Sequence, residues 1–158
     1  MKTKHFLIIT LVIGLMTILP LAAADDTNIL DAMGVKPVTQ DTTVNIGGID
    51  FVIPKGFGEE TDLKKDNETI DLVGSKVSMH THVYTNEKAD LLSINVFSGE
   101  KANLTEELNG SDGEVEKTIN NQKGYYSEED GMAMFTFVKD NKMAQISAPK
   151  DIISTVVK

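Results

Sequence analysis

The sequence predicts an α+β domain: about seven mostly antiparallel strands, a short central helix and a C-terminal helix, after an N-terminal signal helix. Three observations predict it. Beyond position 43, apolar side chains recur at every second residue. Gly-Gly, Asn-Asn and Asp-Asn pairs separate several of the alternating segments. Only 102–109 and 149–158 carry helix-like apolar spacing within the domain.

The N-terminus comes first in chain order. Lys2, Lys4 and His5 precede an uncharged run from Phe6 to Ala24. Pro20 and the small triplet Ala22-Ala23-Ala24 then lead into Asp25-Asp26. A positive start, an apolar stretch and an A-x-A site are the features a signal peptidase reads, so cleavage is expected after Ala24. The competing expectation is an uncleaved anchor, because the run approaches the roughly 20 residues that span a bilayer. Lysines ahead of it would place the domain outside in that case too. Both readings export the chain to the cell surface or beyond. The organisation expected is therefore signal peptide 1–24, lead-in and linker 25–42, and a single domain 43–158.

Residues 25–42 read as a capped turn through Ile29, Leu30 and Met33 closed by Gly34, then a polar linker. Val44 and Ile46 alternate up to Gly47-Gly48, and Ile49, Phe51 and Ile53 alternate away, which reads as a hairpin. Thr69 to Val73 and Lys76 to Thr85 are extended, the longer piece with Val77, Met79, Thr81 and Val83 on one face and Lys76, Ser78, His80, His82 and Tyr84 on the other. Leu91–Phe97 follows after a turn at Asn86 to Asp90, with Leu92, Ile94 and Val96 toward the core. Ala102–Asn109 reads as the central helix, since Leu104 and Leu108 are four apart with Gly110 following. Val115–Ile119 faces Gln122–Tyr126 across Asn120-Asn121, and Met134–Lys139 faces Lys142–Ala148 across Asp140-Asn141. Counting outward sets Val138 opposite Met143, Phe137 opposite Ala144, Phe135 opposite Ile146 and Tyr126 opposite Val115. The tail Pro149–Lys158 reads as a helix with Ile152, Ile153, Val156 and Val157 on one stripe.

Composition removes whole classes of function. The 158 residues hold no cysteine, which excludes disulfide scaffolds, thiolate metal sites and thiol catalysis together. Lysine is the sole cationic residue apart from histidine, and the formal charge is −9. That balance excludes a nucleic-acid partner, because phosphate neutralisation needs a basic surface.

His80-Thr81-His82 is the sharpest local feature. Strand alternation puts both imidazoles on one face, roughly 7 Å apart, near enough to share a metal ion. Glu87 and Asp90 in the next turn are candidates to approach, and a solvated strand face is the competing reading. The acid clusters 59–62, 112–116 and 128–131 do not match a twelve-residue calcium loop and read as solvated loops. Ser98-Gly99-Glu100-Lys101 matches S-x-x-K only in letters, because Ser98 leaves a strand instead of opening a buried helix. Gly56-Phe57-Gly58 leads into acids, so no phosphate cradle and no cofactor are implied. Sequons at Asn67, Asn103 and Asn109 license glycosylation of an exported chain.

The segments Lys117 to Tyr126, Phe135 to Lys142 and Ile146 to Ala148, with Gly48 to Phe57 upstream, resemble small exported archaeal proteins, chiefly from methanogens. The likeness rests on turn chemistry, and its strand order is similar to that of PsbP/Mog1-type domains. It implies an exported α+β domain and no activity, since fold alone does not carry function. The resulting expectation is a non-enzymatic module binding a partner protein or surface component. A metal protein centred on His80 and His82, and a membrane-anchored envelope protein retaining its N-terminal segment, are the alternatives.

Overall fold

The computed structural model describes residues 29–72, 75–99, 104, 108, 110 and 113–158. The apolar segment and the expected cleavage point at Ala24 lie outside them, as do two of the three sequon asparagines, Asn103 and Asn109. Among the described residues no helix is long and apolar enough to cross a membrane.

The chain is mostly β. A single helical turn, α1 (Ile29–Ala32), precedes the hairpin β1 (Thr42–Ile46) and β2 (Ile49–Ile53). Next come β3 (Gly58–Glu59), a 3-10 turn (Thr61–Leu63), β4 (Lys65–Leu72), β5 (Ser75–Thr85) and β6 (Leu91–Ser98). The last part holds β7 (Val115–Ile119), β8 (Gln122–Glu129), β9 (Met132–Lys139), β10 (Lys142–Pro149) and the one-turn α2 (Ile153–Val156). β1 and β2 form their own two-stranded sheet. The larger sheet runs β5-β6-β10-β9-β8-β7, and β3 and β4 both lie along the outer edge of β5. Every pairing is antiparallel.

The α+β class predicted from the sequence is therefore corrected. Among the described residues ten strands replace about seven, and the helices are single turns. The additions are edge strands: β3 was not expected, and β4 contains Thr69 to Leu72 of the expected extended stretch but begins earlier, at Lys65. β4 reads Lys-Asp-Asn-Glu-Thr-Ile-Asp-Leu and is largely exposed, so no burial forces an apolar alternation on it. The central helix expected at 102–109 falls mostly outside the described residues. Within it, Leu104 is buried and its carbonyl accepts from Leu108 N–H at 3.1 Å, a single helical bond. The C-terminal helix shrinks to one turn because Ile152, Ile153, Val156 and Val157 are β-branched. Val157 instead bridges Phe51 of β2 in antiparallel fashion.

Local turn chemistry sets the hairpins. Gly47 and Gly48 both have positive φ, as do Asn120-Asn121 and Asp140-Asn141. Asp130-Gly131, read as part of an acid cluster, is a further two-residue turn of this kind and joins β8 to β9. The registers Val138–Met143, Phe137–Ala144, Phe135–Ile146 and Tyr126–Val115 are those expected.

One face of the large sheet presents Leu92, Ile94, Val96, Phe135, Phe137, Ala144, Ile146 and Ala148. The β1–β2 hairpin covers it with Ile46, Ile49, Phe51 and Ile53, and α2 adds Ile153 and Val156. The other face carries a smaller cluster of Val77, Met79, Phe97 and Leu104. The lead-in is packed as well. Leu30 and Val35 are buried, and Val38 exchanges backbone bonds with Phe57 and Gly56 at 2.8 and 2.9 Å.

Asn120 ties the last turn to the sheet. From its left-handed position in the β7–β8 turn, its side-chain amide donates to the carbonyls of Ser154 (2.8 Å) and Val157 (2.9 Å). Asn120→Gly keeps the turn conformation but removes both bonds, and is expected to cost about 1–3 kcal/mol. Asn121→Gly in the same turn should stay within about 0.5 kcal/mol. Urea midpoints of the two variants check the difference.

Candidate functional site

The two histidines meet carboxylates that sequence reasoning did not assign to them. β5 alternates so that His80, His82 and Tyr84 point to the face shared with Val96, Ile94 and Leu92. That is the main-core face, not a solvated one: His82 is 6% exposed and Tyr84 5%. At this edge of the sheet, β3 supplies Glu59 and the start of β4 supplies Asp66.

His82 lies between the two acids. Its Nδ1 is 2.6 Å from Glu59 Oε1, and its Nε2 is 3.2 Å from Asp66 Oδ1. The same Asp66 oxygen is 3.0 Å from His80 Nδ1, so one carboxylate bridges both rings. Lys64 Nζ closes the arrangement, 3.5 Å from Glu59 Oε2 and 3.9 Å from Asp66 Oδ2. Tyr84 stacks beside His82 with ring centroids 6.4 Å apart. Burial, followed by the charge of Glu59, pushes its hydroxyl well above the usual phenol range.

The carboxylates that reach the rings are thus Glu59 and Asp66, not Glu87 and Asp90. Asp90 is spent on its own turn, where Asn86 Nδ2 donates to it at 2.9 Å. Glu59 sat in an acid cluster read as a solvated loop, and Asp66 stood in a charged stretch with no motif around it. The ring nitrogens and carboxylates face one another directly. Among the described residues, no group of three or more His, Cys, Asp or Glu is arranged to hold a metal ion.

What the cluster does is fasten an edge. β3 contributes only two residue pairs to β5, and β4 makes one pair at Lys65 before its register shifts. Side-chain bonds from Glu59 and Asp66 to the histidines hold the chain where backbone pairing is thin. Asn67 sits at that irregularity, exposed and with φ 58°. Its Oδ1 accepts from Ser78 Oγ at 3.4 Å.

Two carboxyls in this segment respond to pH with opposite sign. The bond to His80 holds Asp66 below the usual aspartate range; partial desolvation opposes, and His82 and Lys64 add to the lowering. Its contribution to stability is present above the unfolded pKa and is lost as pH falls through the folded one. Glu60 is 8% exposed and its Oε1 has no hydrogen-bond partner. Burial first, and Asp62 second, raise its carboxyl above the usual range. Its contribution is present below the unfolded pKa and is lost as pH rises through the folded one. The stability gap between wild type and Asp66→Asn should therefore narrow on acidification from about pH 5 to about pH 2. Glu60→Gln should gain stability relative to wild type as pH rises from about 4 to about 7. Thermal melts across these ranges check both signs.

The described surface also carries two shallow concavities. One groove, about 490 Å³, lies where the ends of β4, β5 and β6 meet the β9–β10 turn and is lined by Thr69, Lys76, Ser78, Ser98, Asp140 and Lys142 among others. The second, about 310 Å³, lies on the other face beside Ser127, Met132, Met134 and Ser147. Neither contains a histidine.

Fold and site together define a predominantly antiparallel β domain with an internally satisfied histidine–carboxylate cluster at one sheet edge. No family model, curated protein or solved structure matches this chain.

Proposed function

We propose that this protein is an exported, non-enzymatic binding module that engages a partner protein or cell-surface component through its open sheet surface and loops. The observation that carries the reading is the state of the His80/His82 cluster. The side chains with most chemical capacity, His80, His82, Glu59 and Asp66, are bonded to one another, and neither concavity contains them. A catalytic site needs such groups aimed at a space where a substrate can sit. The export half rests on Lys2 and Lys4, the apolar run and Ala22-Ala23-Ala24.

Envelope material from the source cells, incubated with purified protein, provides the test. Saturable retention that unlabelled protein competes away is expected. Retention no better than that of an unrelated acidic protein would reject the reading. N-terminal sequencing of protein recovered from cells should begin at Asp25; intact Met1 in the membrane fraction would instead establish an anchored envelope protein. Stoichiometric zinc or copper lost in a His80→Ala/His82→Ala double variant would replace the module with a metal protein.

A further inference from the structure

The groove at the β9–β10 turn brings lysines and hydroxyls together in a chain of formal charge −9. Thr69, Ser78, Ser98, Lys142 and Lys139 stand in one cross-strand row over β4, β5, β6, β10 and β9. All five point to the same face, because directly paired antiparallel residues share a side. Lys76 lies two residues before Ser78 on that side of β5. The chain thus lays three hydroxyls and three ammonium groups along one end of the sheet.

Placement is what sets these lysines apart. Lys139 and Lys142 are directly opposite each other across the hairpin, an arrangement that destabilises a sheet when nothing neutralises it. Lys64, Lys65, Lys123, Lys150 and Lys158 all form ion pairs with carboxylates. Among the described residues Lys76, Lys139 and Lys142 form none, as is also true of Lys36, Lys55, Lys88 and Lys117, although acids outnumber lysines in the chain by 24 to 15. Asp71 pairs with Lys76 in register on β4 without reaching it as an ion pair. Lys142 is also directed. Its ammonium lies against the β1–β2 turn, in the space where a side chain at Gly48 would begin.

We propose that this groove binds a single oxyanion group of the phosphate or sulfate type. Lysines 76 and 142 supply the charge, with Thr69 and Ser98 as hydroxyl donors, while Ser78 Oγ donates to Asn67 Oδ1 at 3.4 Å. Donor-rich walls of this kind complement a group that only accepts. Among the described residues no aromatic side chain lines the groove, so they offer no stacking platform for a sugar ring or base. Asp140, also in the lining, opposes a second negative group and limits the ligand to one compact anion. The proposal deepens the binding-module reading and rests on it for the source of the ligand.

Titration of the full chain followed by backbone amide NMR tests it, at ionic strength held constant with chloride. Inorganic phosphate probes the free ion, and glycerol phosphate probes an esterified group such as a surface polymer would carry. Saturable shifts at residues 76–78, 98 and 142 are expected, with a dissociation constant on the order of 1 mM. Stronger binding of the ester assigns a surface polymer as the source; stronger binding of the ion assigns the free form. Lys76→Gln/Lys142→Gln should weaken binding at least about tenfold, the loss expected with two charge-assisted contacts removed. Lys123→Gln/Lys150→Gln, which removes two paired lysines, should leave it unchanged. Unsaturable shifts, or equal weakening in both double variants, would overturn the groove. If the wild-type chain shows no saturable shifts yet still binds cell envelopes, the groove assignment falls and the binding module stands.

Discussion

Gly124→Ala is expected to lower stability by about 3 kcal/mol, the upper end of overpacking costs, and to depress the melting temperature by about 10 °C. Gly124 lies on β8 opposite Phe137 of β9. A Cβ there would run into the backbone carbonyl of Thr136, and would sit 3.0 Å from both the Phe135 ring and Phe137 Cβ. Phe135 and Phe137 are fully buried, with ring centroids 5.5 Å apart. The main obstacle is backbone, so relief requires β8 to move away from β9 and loosen the ladder from Gly124 to Glu129. Trimming the aromatic neighbour should therefore fail as a rescue: Gly124→Ala/Phe135→Leu is expected to be less stable than either single variant. Denaturant unfolding of the three proteins decides this. An alanine variant within about 1 kcal/mol of wild type would mean that the strands adjust there at little cost.

Phe51→Ala is expected to cost about 3–5 kcal/mol, because a fully buried ring is replaced by a cavity that its neighbours fill only in part. Phe51 is the largest side chain that the β1–β2 hairpin sends into the core, between Ile49 and Ile53 on the same strand face. The hairpin pairs with itself and not with the large sheet, so side-chain burial, aided by the Phe51–Val157 bridge, holds it down. A two-stranded hairpin has little stability of its own. Loss of the ring should thus raise hydrogen exchange across 42–53 more than across β9 and β10. Val52→Ala, on the half-exposed side of the same strand, is expected to cost less than about 1 kcal/mol. Equal protection loss in both regions would show that hairpin and sheet unfold as one unit.

The candidate site divides along similar lines. The presence of two imidazoles on one side of β5 was legible, because a strand's period of two depends only on the chain itself. Their partners were not. Glu59 is 23 residues from His82 and Asp66 is 16, and they arrive from β3 and from the first half of β4, polar edge sequences with no alternation to announce a strand. The lysine–hydroxyl groove was equally hidden. Its row takes one residue from each of five strands, so it exists only once the order β4-β5-β6-β10-β9 is formed.

From sequence alone came the hairpins and their registers, since Gly47-Gly48, Asn120-Asn121 and Asp140-Asn141 favour positive φ wherever they occur and the counting outward from them is local. Tertiary structure alone decided that both faces of β5 are covered. Both its faces carry apolar and polar residues, and only the landing of the β1–β2 hairpin on the Leu92, Ile94 and Val96 side buries His82 and Tyr84 there. It likewise decided the class of the fold. Short β-branched segments such as Ile152–Val157 can form either a turn of helix or an extended bridge, and the neighbours they meet select between the two.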